Sequence, residues 1–93
     1  MSYRYKVSDY NEGVKEFELI FDCDEYAKVA IGIIEDLKNT NPCVYECAEV
    51  EVDDDDYRVY VVCDIYTLYS VLDEVNFGLQ IKSNSSNIDW EWA

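Results

Sequence analysis

Histidine is absent from this 93-residue chain, proline occurs once and glycine three times, and only seven Lys and Arg stand against 21 Asp and Glu. Each shortage excludes something. Without histidine there is neither a Ser-His nor a Cys-His nucleophile pair. Three scattered glycines leave no Gly-rich phosphate loop. No stretch reaches the roughly 18–20 apolar residues of a membrane helix, and the first residues lack the apolar h-region of a secretory signal, so the expected location is cytoplasmic. Carboxylate pairs remain for acid-base work, but 21 carboxylates single out no pair. The chain is not read as an enzyme, and no cofactor is expected.

What is abundant is negative charge. The formal net charge is −14, whereas a magnitude of roughly 2–8 suffices for the solubility of a small domain, and self-repulsion of this size works against a compact fold. The composition is nonetheless that of a folded chain: 49% apolar and 15% aromatic, with nine Tyr. Disordered acidic chains are poor in aromatic and β-branched residues.

Local patterns alternate between two periods. Tyr3, Tyr5 and Val7 alternate with Arg4 and Lys6, and Phe17, Leu19, Phe21 and Cys23 alternate with Glu16, Glu18 and Asp22; both segments read as half-buried strands joined by a loop containing Asn11 and Gly13. Residues 25–38 carry Tyr26, Ala30, Ile33, Ile34 and Leu37 at helical spacing, after Asp22 or Asp24 as N-cap. Residues 44–52, where Ala48, Val50 and Val52 alternate with Glu49 and Glu51, and 57–65 form a second strand pair across Asp53-Asp54-Asp55-Asp56. Residues 65–77 return to helical spacing, with Asp64 or Thr67 as cap and Gly78 as terminator. At an offset of forty, Cys23-Asp24-Glu25-Tyr26 lies over Cys63-Asp64-Ile65-Tyr66 and Tyr5 over Tyr45, which suggests a pseudo-repeat.

The expected fold is therefore α+β: a two-layer sandwich, ββαββα, with a four-stranded, largely antiparallel sheet and both helices on one face. Leu79 to Lys82 would add at most a short edge strand. Residues 1–82 are read as a single acidic domain, and residues 83–93 as a mobile polar linker followed by an aromatic acidic tail containing Trp90 and Trp92.

Four cysteines raise the question of a metal or disulfide. Only Cys43 and Cys47 approach the pair spacing of a zinc site, and on an extended strand they stand ~13 Å apart. Cys23 and Cys63 fall on the inward phase of their strands, where a free thiol behaves as a small hydrophobe. No metal site is expected, and all four cysteines are read foremost as core residues. The Asp53 to Asp56 run lacks the Gly and flanking helices of a calcium loop and reads as a solvated hairpin tip.

The charge is read as complementarity to a basic protein, with Glu49, Glu51, Asp53, Asp54, Asp55, Asp56 and Asp64 as the candidate contacts. A lattice of carboxylates presents the charge pattern of a phosphate backbone to Lys and Arg that bind nucleic acid. Direct contact with nucleic acid or an anionic membrane is disfavoured by the same charge. In size, acidity and lack of catalytic equipment the chain resembles the small phage-encoded anti-defence proteins, including anti-CRISPR and anti-restriction inhibitors that imitate nucleic acid. That resemblance is one of composition and assigns no role to individual residues; it implies a basic, nucleic-acid-binding defence effector as partner. The alternatives are an intracellular interaction or structural module, homodimeric through a sheet edge or the Trp90 and Trp92 terminus, and an immunity- or antitoxin-like protein.

Overall fold

The computed structural model describes residues 2–11, 16–51, 57–85 and 87–93. The order of elements is β1 (Ser2–Asn11), β2 (Glu16–Phe21), α1 (Asp24–Thr40), β3 (Val44–Glu51), β4 (Tyr57–Cys63), α2 (Ile65–Ser83) and β5 (Asn87–Trp92). The strands form one mixed sheet in the order β3-β4-β2-β1-β5. It is α+β with both helices packed on one side, but the sheet has five strands where the sequence pattern predicts four.

The fifth strand comes from the segment read as a linker and tail. Residues 87–92 pair in parallel with β1, from Ser2 opposite Asn87 to Val7 opposite Trp92. Ile88 is buried and Trp90 packs against the core, on a segment whose alternation with Asp89 and Glu91 is a strand pattern. Gly78 likewise does not end α2. The helix continues through Leu79 to Lys82, where an edge strand was expected, and stops at Asn84, whose left-handed backbone (φ 53°) forms the C-cap. Asn accepts that conformation more readily than most residues, so the stop signal lies six positions beyond the glycine.

Gly78 has a packing role instead. A Cβ at this position would overlap Ile33 Cδ1 of α1, and Val29 is also close. The Ile33 side chain thus occupies the space that a side chain at position 78 would need. Gly32, by contrast, has open space where its Cβ would stand.

The two hairpins meet through β2 and β4, which pair antiparallel with Leu19 opposite Val59, Glu18 opposite Tyr60 and Ile20 opposite Arg58. This register maps onto itself at an offset of forty, so a local two-fold relation passes through the Leu19–Val59 pair. The likeness stops short of the outer strands. Tyr5 is buried, stacks on Phe21 with ring centroids 4.7 Å apart and donates a hydrogen bond to Asn76 Oδ1 at 2.7 Å. Tyr45 is 64% exposed, because the β3–β4 register shifts between Val44 and Glu46.

The core lies between the sheet and the helices. It takes Val7, Phe17, Leu19 and Phe21 from β1 and β2, Val59, Val61 and Cys63 from β4, Ala27, Ala30 and Ile34 from α1, and Leu68, Val71, Leu72, Val75 and Leu79 from α2. On the opposite face, Glu18 is buried and its carboxylate lies 3.4 Å from Arg58 Nη1 of the neighbouring strand. Among the described residues no helix is long and apolar enough to cross a membrane.

Candidate protein-binding surface

Of the seven residues singled out by the sequence, Glu49 and Asp64 have described side chains. Glu49 pairs across the sheet with Val59 and so falls on the side facing α1, where Lys28 Nζ stands 3.3 Å from its carboxylate and also 3.9 Å from Asp24. Ala48, the apolar alternate residue, lies opposite Tyr60 on the other face and is exposed. The shift between Val44 and Glu46 explains this phase: Val44 and Cys47 supply the apolar side of β3. Glu51 is described only by its backbone pairing with Tyr57, and Asp53, Asp54, Asp55 and Asp56 lie outside the described residues.

Asp64 sits elsewhere. It follows Cys63, the last residue of β4, and lies roughly 20 Å along that seven-residue strand from Tyr57, the partner of Glu51. Its carboxylate is engaged as the N-cap of α2, accepting from Thr67 N at 2.8 Å and from Thr67 Oγ1 at 3.2 Å. The bond from the Thr67 amide holds this carboxyl below its ordinary range. At the other helix the N-cap position is Cys23, which makes no side-chain capping bond, rather than either aspartate.

Among the carboxylates whose side chains are described, only Glu16 and Glu18 are not exposed. Several cations are already committed: Arg4 lies 3.6 Å from Glu91, Lys82 3.1 Å from Glu25, and Lys28 and Arg58 are paired as above. Glu35 and Asp36 on α1, Asp73 and Glu74 on α2, and Glu46 and Asp89 on the strands make no ion pair among the described residues. Two of the helical four share a groove: Asp36 and Glu74 line a depression of about 250 Å³ between the helices together with Ile33, Leu37 and Thr40. On the other side of the molecule, Arg4, Lys6 and Arg58 share a cleft of about 460 Å³ with Ile20 and Asp22.

The thiols are free and dispersed. Cys63 is buried, and burial together with the Asp64 charge pushes its thiol up to about 12. Cys47 is raised by burial, against the opposing pull of Lys38. Cys43 is exposed and Cys23 half-buried, so the core reading holds for Cys63 and in part for Cys47. Among the described residues no three of His, Cys, Asp and Glu come close enough to hold a metal ion.

Sequence reasoning missed that Asp36 and Glu74 line one interhelical groove. Each lies on a helix whose rotation about its axis is set by the core, and the signal available in the sequence was their exposure opposite the buried positions. Compared with protein-family models, with curated proteins and with solved structures, the chain matches none.

Proposed function

We propose that this protein is a small acidic inhibitor that occupies the basic groove of a nucleic-acid-binding protein, imitating the charge of nucleic acid as anti-CRISPR and anti-restriction inhibitors do. The observation that carries the reading is the net charge of −14 on a folded scaffold whose described carboxylates are almost all exposed. Carboxylates fixed on helices and strands lose less conformational freedom on binding than the same charges on a disordered tail. Attraction between exposed charges is screened over about 8–10 Å at physiological salt, so the complex is expected to form fast and to weaken with salt.

The test is a pull-down from cytoplasmic lysate at low and high salt, each captured protein then being challenged with DNA or RNA. A nucleic-acid-binding protein that is released both by salt and by nucleic acid is the expected result, and replacing Asp53 to Asp56 by Asn should weaken its capture. Recovery only of salt-resistant partners indifferent to nucleic acid would overturn the proposal.

A further inference from the structure

Helix α2 is apolar on two sides. Its buried side carries Leu68, Val71, Leu72, Val75 and Leu79, yet Tyr66, Tyr69, Phe77 and Ile81 on the same helix are exposed, at 82%, 45%, 63% and 69% respectively. These are four of the six large hydrophobic residues that the described chain exposes; the others are Tyr45 and Trp92. At 3.6 residues per turn, Tyr66, Ser70, Asp73, Phe77 and Ile81 fall within about 80° of arc, on a stripe ~22 Å long that mixes three large apolar side chains with two polar ones. Glu74 borders this stripe on the side of the groove that it lines with Asp36.

We infer that this outer face of α2, with the interhelical groove beside it, docks a cationic amphipathic helix of a partner protein. Apolar side chains of that helix cover Phe77 and Ile81, while its Lys or Arg residues reach Asp73 and the Asp36–Glu74 pair. Charge complementarity selects this occupant. A second copy of the chain would bring another −14 onto the same surface, and an anionic lipid surface or nucleic acid would be repelled in the same way. A stripe of this length beside a groove matches the helix-in-groove mode, in which anchors recur at three- and four-residue spacing. The inference rests on the proposed reading that the partner is basic, and adds where and how it is met.

Two probes separate that reading from this one: an amphipathic Leu-Lys helical peptide and an all-lysine peptide of equal charge, each titrated against the 15N-labelled protein. The amphipathic peptide is expected to shift the amides of residues 66–81 and of Ile33 to Leu37, and to bind more tightly than the all-lysine peptide. In a Phe77→Gln, Ile81→Gln variant with unchanged circular dichroism, its affinity should drop at least about tenfold, since two apolar contacts are removed; binding of the all-lysine peptide should not change. Equal affinity for both peptides, or shifts confined to the opposite sheet face, would overturn the docking surface and leave the basic-partner reading standing. Failure of both peptides to bind at low salt would remove that reading as well. Self-association of the wild type that the double variant abolishes would assign the face to a second copy and overturn the inference.

Discussion

Cys63 closes β4 with its side chain in the core, next to the carboxylate that caps α2, and this position gives alkaline pH a specific point of attack. Its thiol is pushed up to about 12 from an ordinary value of 9.0, by burial first and by Asp64 second. The unfolded chain therefore loses this proton before the folded one. The stabilisation is complete below about pH 9 and is lost as pH rises toward 12. Urea midpoints followed from pH 8 to 10.5 should fall more steeply for the wild type than for Cys63→Ala. Some decline should persist in the variant, because burial and Asp73 also raise the Tyr5 hydroxyl; identical slopes would show that the Cys63 thiol is not held neutral by the fold. Asp64 has the opposite sign: its lowered carboxyl stabilises the fold above its ordinary range and ceases to do so as pH falls. The candidate contact with the clearest structural role is thus a cap, and Glu49 is half of an ion pair with Lys28.

At the scale of elements, two glycines of identical chemistry have different environments. Gly32 faces open space on α1, so Gly32→Ala should raise stability by about 0.5–1 kcal/mol through helix propensity alone. At Gly78 the same gain is opposed by the overlap with Ile33, and Gly78→Leu, which no small rotation of Ile33 accommodates, should destabilise the protein. Thermal melts of the three variants check the order Gly32→Ala, Gly78→Ala, Gly78→Leu, from most to least stable; a Gly78→Leu melt at or above wild type would mean that the helices are not held at this distance. The alternation of Tyr5, Val7, Phe17, Leu19, Phe21, Val59 and Val61 was readable because a half-buried strand repeats every two residues. The helical spacing of 25–38 was equally plain. The end of α2 is not legible at Gly78, because glycine commonly stops helices whereas here Ile33 of α1 occupies the space beside it. The segment 87–92 was read by its polar approach rather than by its own alternation, since nothing local announces a parallel partner about eighty residues away.

For the whole molecule, the charge is the governing quantity. With −14 distributed over so small a surface, long-range repulsion opposes folding, and added salt should relieve it. The melting temperature is expected to rise as NaCl goes from near zero to about 0.2 M, where the screening length falls below ~10 Å. A flat or falling response would mean that the ion pairs, which salt weakens, outweigh the repulsion. The excess of carboxylates, the absence of histidine chemistry, the strand and helix periods and the two-layer α+β class were determined by composition and local pattern, because these depend only on residue type and near neighbours. The tertiary structure alone decided three things: that β5 completes the sheet, that β3 turns Glu49 rather than Ala48 toward the helices, and that Asp36 and Glu74 line one groove beside exposed apolar residues of α2. Each depends on the register and rotation of elements far apart in the chain, which are set by how the core packs.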